Sequence, residues 1–301
     1  MRKGYVAFRE AKQFFSSDWE SVLLAATSPD DARPDPELVD RMLGTIQSFV
    51  RTKDKTSESN PYRVTLRKLW NKMAEAHWLT ATKALYMFHM ILSQCEVEDA
   101  VLFKSMLEKM SREVCKKTQE RYFSKSRIFK VNDDSGTFSP FVRAYGQFVL
   151  KRAKMFTSQF EEMHLLRDGT SLSSDDIVAQ LLKAKKLLVA ALACQLNPEW
   201  EADATLACME VVLRDTSTLF HLFDEKLHWV VTRRQELFSE WDPDEVDKLL
   251  SHFIQFRTIK HGAFKAFIED TAQLLELYGS EDVPLSLGLP EQPSYKLADL
   301  S

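Results

Sequence analysis

Glycine and proline are scarce in this chain, with 8 and 10 in 301 residues. Strand-rich folds use both freely in tight turns, so the shortage argues for long helices. No apolar run approaches the ~20 residues a bilayer-spanning helix needs; the stretch Leu187 to Cys194 is typical of the longest. The first residues, Met1 to Lys12, contain no apolar core of a secretory signal. Only four cysteines occur, Cys95, Cys115, Cys194 and Cys208, far apart and without a CxxC pair. They read as reduced thiols of a cytosolic protein.

Catalytic signatures are also missing. There is no glycine-rich phosphate loop, no HExxH and no GxSxG. His77 and His89 stand twelve residues apart, about three helical turns and too far for one metal ion. Asp30, Asp31 and Asp35 form a DDxxxD run that resembles the magnesium motif of all-helical isoprenoid enzymes. Pro29, Pro34 and Pro36 interrupt the helix such a motif requires. Asp133-Asp134 and Asp175-Asp176 sit beside turn residues and read as helix caps, with Asp175 capping the helix that follows. The expectation is therefore no catalytic residue, no metal and no cofactor.

What is present is helical periodicity. The composition, 45% hydrophobic and 28% charged, is that of an ordinary globular protein. Periodic segments run from Gly4 to Phe15, Asp18 to Thr27, Glu37 to Val50, Tyr62 to Ala76, Trp78 to Gln94, Glu98 to Cys115 and Ser139 to Phe156. Three longer ones follow: Ile177 to Gln195, Glu199 to Ser239 and Asp244 to Tyr278. Gly279 to Ser301 is proline-rich. Charge is uneven. Residues 1–155 carry 27 Lys+Arg against 19 Asp+Glu, and residues 156–301 carry 13 against 25. A basic first half suits an anionic surface.

Two segments carry a family resemblance. HWLTATKALYMFHMIL has Trp78, then Lys83, Leu85 and His89; SPFVRAYGQFVLKRA has Phe141, Val142, Arg143 and Tyr145. Together with Asp18 to Ser28 (DWESVLLAATS) and the long final helices, they resemble the ANTH domain of CALM-type clathrin-assembly adaptors. The resemblance implies an all-α fold: a right-handed superhelical solenoid of short helices through about residue 160, then a bundle of long helices over about 161–278 and an irregular end, 279–301, in one domain. It implies an adaptor rather than an enzyme. Such a module works in clathrin-mediated endocytosis and coat assembly, cytoplasmic and peripheral on the plasma membrane and on clathrin-coated pits or vesicles. The implied partners are a phosphoinositide membrane, chiefly phosphatidylinositol 4,5-bisphosphate, a SNARE helix held by Glu199 to Tyr278, and clathrin. Clathrin would be met through a tail that the residues to Ser301 do not include. A monomer without nucleic-acid binding is expected.

The family's headgroup motif is Lys, nine residues, Lys, one residue, Lys or Arg, then His or Tyr. Aligned without gaps, Trp19 falls at the His position, with Asp18 and Ser16 at two of the Lys positions. With one helical turn inserted, Arg2 and Lys12 have the right spacing and Phe14 and Phe15 follow. Arg2, Lys3, Arg9 and Lys12 are accordingly the candidate headgroup ligands, with Phe8, Phe14 and Phe15 as apolar contacts. A second basic cluster, Lys116, Lys117, Arg121, Lys125, Arg127 and Lys130, interleaves with Tyr122, Phe123 and Phe129. Such a stretch suits anionic lipid or nucleic acid. The competing reading of the whole chain is a helical protein-interaction scaffold that has lost lipid binding.

Overall fold

A computed structural model describes residues 19–50, 60–75, 77–130, 136–164, 172–196 and 202–279. Among them the regular structure is helical, with one isolated antiparallel bridge between Val114 and Arg121. The fold is all-α. The chain divides into two compact units. One comprises residues up to 159 with 196–208, and the other 160–195 with the residues from 209 onward.

The first unit begins with α1, residues 19–26, which buries Trp19, Val22, Leu23 and Ala26 on one stripe. Helices α2 (Pro36–Val50), α3 (Pro61–Met73), α4 (Trp78–Gln94) and α5 (Val97–Met110) follow, then the short α6 (Lys125–Lys130) and α7 (Ser139–Met155). The start of α3 is set by Asn60, whose Oδ1 accepts from the amides of Tyr62 at 2.9 Å and Arg63 at 3.4 Å. Pro61 at the first position suits the fixed φ of a helix start. Helix α4 is the centre of this unit. Its residues Leu79 to Leu92 are all buried, as expected of a helix covered on every side. It packs on α2, α3 and α7.

The other side of α4 meets α7 through Leu85 and Gly146. A Cβ on Gly146 would lie 3.1 Å from the Ile128 side chain and 3.4 Å from that of Leu85, so the missing side chain lets α6 cross α7 closely. At the end of α7, buried Arg152 donates to the carbonyls of Thr157, at 2.5 Å, and Ser158. It thereby satisfies two buried carbonyls of the segment that follows the helix.

The second unit contains α8 (Ser174–Ala191), most of α9 (Asp203–Thr232), the single turn α10 (Arg234–Leu237) and α11 (Pro243–Leu277). Sequence periodicity joins 199–239 in one segment; the structure breaks the helix at Arg233 and resumes for one turn only. The cap of α8 is Ser173, whose Oγ accepts from the Asp176 amide at 3.2 Å. The expectation of Asp175 as cap is corrected: Asp175 lies within the first turn, where its charge favours the helix dipole instead. Asp242 caps α11, accepting from the Asp244 amide at 2.8 Å. Phenylalanines fill the seam between α9 and α11, with Phe220–Phe264 ring centroids 5.1 Å apart and Phe223–Phe256 at 5.8 Å. Buried Arg257 donates to Asp224 at 2.7 Å across the same seam.

Candidate functional site

Arg2, Lys3, Arg9 and Lys12, with Phe8, Phe14 and Phe15, lie outside the described residues. The structure shows the ground on which that segment is rooted. Trp19, the first described residue, is 2% exposed. Lys68 of α3 holds its ammonium 5.5 Å from the centre of a Trp19 ring and 3.2 Å from the Glu20 carboxylate. One turn on, Lys72 pairs with Glu75 at 2.9 Å, and Arg67 beside it is exposed. A buried indole cannot offer itself to a headgroup as an exposed His or Tyr could. The α3 lysines, which sequence reasoning missed, are each paired with an acid and add no net charge. Only their i, i+4 spacing signals them in the sequence.

The loop after α1 is tied down by its acids. Asp30 accepts from the buried Lys83 ammonium at 2.6 Å, from the Ser28 hydroxyl at 2.5 Å and from the Ala32 amide at 3.1 Å. The hydrogen bond from Lys83, then that from Ser28, hold its carboxyl at about 2. Burial first, and then the charge of Asp203, push Asp31 up. Asp35 accepts from the Glu37 amide at 2.9 Å at the start of α2. The DDxxxD run is thus engaged in a lysine pair and a cap. Among the described residues no group of three His, Cys, Asp or Glu stands where it could hold a metal ion.

The residues of the family resemblance define a helix crossing. His89, fully buried, places Nδ1 3.2 Å from the Tyr145 hydroxyl. Phe141 stacks on Tyr145 at 5.8 Å, and Leu85 and Val142 are buried. Trp78 is only half-buried and stacks on Phe138 at 4.7 Å. Lys83 pairs with Asp30 in the loop after α1. Arg143 is exposed.

The second basic cluster sits on a compact knot between α5 and α6 that ends in the short α6. The Cys115 amide donates to the Glu120 carbonyl and the Gln119 amide to the Cys115 carbonyl, both at 2.8 Å. Phe123 is buried, stacked on Phe88 at 5.8 Å and 5.5 Å from Trp70. The Phe129 and Lys130 side chains lie outside the described residues. In the second unit, Val189, Ile259, Leu277 and Tyr278 are exposed. No described helix is long and apolar enough to cross a membrane.

A family model of the ANTH domain matches residues 20–284. No curated protein matches the chain. The match begins one residue after Trp19, so the predicted headgroup cations precede it. ANTH domains are non-enzymatic adaptor modules that bind phosphoinositide membranes in endocytosis. With an all-α fold and a match over nearly its whole length, the chain belongs to the ANTH domain family.

Proposed function

We propose that this chain is a membrane adaptor module of clathrin-mediated endocytosis and coat assembly. In this reading it binds phosphatidylinositol 4,5-bisphosphate through Arg2, Lys3, Arg9 and Lys12, and residues 1–301 act as one module. The observation that carries it is the ANTH match over residues 20–284, immediately downstream of a segment with four cations. Each cation near an anionic surface contributes about 1 kcal/mol, so four suffice for a modest, salt-sensitive attachment. Avidity with clathrin, met through a tail, and with cargo would strengthen it. The long helices over Glu199 to Tyr278, which carry the exposed Ile259 and Leu277, suit an apolar partner helix such as a SNARE. The protein acts as a monomer on the cytoplasmic face of the plasma membrane and of clathrin-coated pits or vesicles. The same reading has no nucleic-acid partner; burial of Phe123, which removes one base-stacking platform from the basic cluster, supports it.

The test is sedimentation with phosphatidylcholine vesicles with and without the bisphosphate lipid. Binding that depends on the lipid and falls at least about tenfold when Arg2, Lys3, Arg9 and Lys12 are changed to Glu supports the assignment. A second reading, a scaffold that has lost lipid binding, is favoured by one observation: Trp19, at the family's His position in the ungapped alignment, is buried under Lys68. Protein that stays in the supernatant at low ionic strength, with and without the lipid, establishes that second reading.

A further inference from the structure

Residues 111–128 carry six cations and two acids. The structure separates the two signs. Arg112, Lys116, Lys117, Arg121 and Lys125 are all exposed, whereas Glu113 and Glu120 are half-buried. Glu113 is further neutralised by Arg63 of α3, which grips both carboxylate oxygens at 2.9 and 2.5 Å. That pair holds the Glu113 carboxyl below its ordinary value. The knot therefore shows solvent a face of one sign, although its sequence is mixed.

This face is preorganised. The amides of Glu113, Cys115, Gln119, Tyr122 and Ser124 all donate to backbone carbonyls within 110–121. Buried Cys115 and Phe123 pin it to the core. Gln119 and Phe123 adopt left-handed φ of 57°, a cost to non-glycine residues that the surrounding bonds and burial must offset. The cations thus lose little backbone freedom on docking. At the Val114–Arg121 bridge the apolar Val114 is 56% exposed, with Arg112 and Lys116 two residues away on either side. Lys154 of α7 extends the charge. Burial first, and then the nearby charge of Lys125, push its ammonium down.

We propose that the knot between α5 and α6 is a second membrane contact, in which Arg112, Lys116, Lys117, Arg121 and Lys125 meet anionic phospholipid headgroups and Val114 enters the interfacial layer. A lipid surface is the occupant that matches both features, many cations of one sign and a single exposed apolar tip. A single-stranded nucleic acid would need exposed aromatic platforms, and Phe123 is turned inward. The contact recognises charge density rather than the inositol ring. It rests on the reading of the chain as a membrane module, but not on the N-terminal site.

The experiment uses the full chain and phosphatidylcholine vesicles carrying phosphatidylserine, which supplies charge without inositol. One variant combines Arg112→Glu, Lys116→Glu, Lys117→Glu and Arg121→Glu; a second has Gln at the same positions, and thermal melting checks that both fold. At least about tenfold weaker binding of the Glu variant, a smaller loss for Gln and a shallower salt dependence support the contact. The same loss in protein already reversed at Arg2, Lys3, Arg9 and Lys12 supports it independently of that site. Unchanged binding by both knot variants, while the N-terminal reversal abolishes binding, overturns the contact and leaves the proposed function standing. Wild-type protein that ignores both phosphatidylserine and bisphosphate vesicles overturns both. Knot-dependent binding of single-stranded RNA or polyglutamate, without vesicle binding, overturns the lipid assignment.

Discussion

Lys83 of α4 is 2% exposed, and its ammonium donates to Oδ1 of Asp30, an exposed loop residue, at 2.6 Å. The burial is one-sided. Removing the exposed acid strands a buried cation, whereas replacing Lys83 by Met removes the charge with its need for a partner. Asp30→Ala is therefore expected to lower the melting temperature more than Lys83→Met does. Acid acts like the first substitution. The Asp30 carboxyl is held at about 2, below the ordinary 3.8. Its contribution is fully present above pH 3.8 and is lost as pH falls towards 2. The difference in melting temperature between wild type and Asp30→Asn should shrink over that window; equal differences at pH 5 and pH 2 would argue against the pairing.

Lys226 of α9 acts with the same sign at the alkaline end of the pH range. It is 1% exposed and donates to the Glu162 carbonyl at 2.9 Å and to Gln180 Oε1. Burial pulls its ammonium down to about 8, against a small upward pull from Glu162. A lysine depressed in the folded state binds its proton more weakly there than in the unfolded chain. Stability should rise between pH 8 and pH 10.5, by roughly 3 kcal/mol across the whole window. Lys226→Met should flatten that slope in urea titrations across the window.

Trp19 is expected to be structural. Trp19→Ala empties a core position and should cost about 3–5 kcal/mol. Lys68→Gln, which removes the cation above the ring, should cost under about 1 kcal/mol. Trp19→His places the family's residue type at this position but should destabilise without strengthening vesicle binding. Tighter binding by that variant would reassign Trp19 to the headgroup site.

Two glycines in helices should respond with opposite signs. Gly146→Val drives a branched side chain into Ile128 and Leu85 and should cost about 1–3 kcal/mol, read from denaturant midpoints. Gly262 in α11 is exposed, with nothing within 4 Å of an added Cβ. Gly262→Ala should stabilise the protein by up to about 1 kcal/mol, the difference in helix propensity.

Helix type and order were legible before the fold was known because periodicity is local. An apolar stripe at i, i+3, i+4 declares itself wherever the helix lies. So were the crossing residues Leu85, His89, Phe141 and Tyr145, whose large side chains have few alternatives to the core. The break at Arg233 was not visible, since apolar spacing continues through it. Nor was the choice of Ser173 over Asp175 as cap, because adjacent polar residues compete for the same amides and the backbone angle at the helix start decides.

By itself the sequence determined a helical chain with a basic first half, because composition and spacing act through short-range rules, and its motifs carried the resemblance to the ANTH domain. Tertiary structure decided which charges are available to a partner. Asp30 meets Lys83 from 53 residues away, Arg63 neutralises Glu113 across 50, and Phe123 of the basic cluster is buried in the core. Those pairings depend on which helices are neighbours, which no local pattern encodes, and they leave the cations of the knot facing water together.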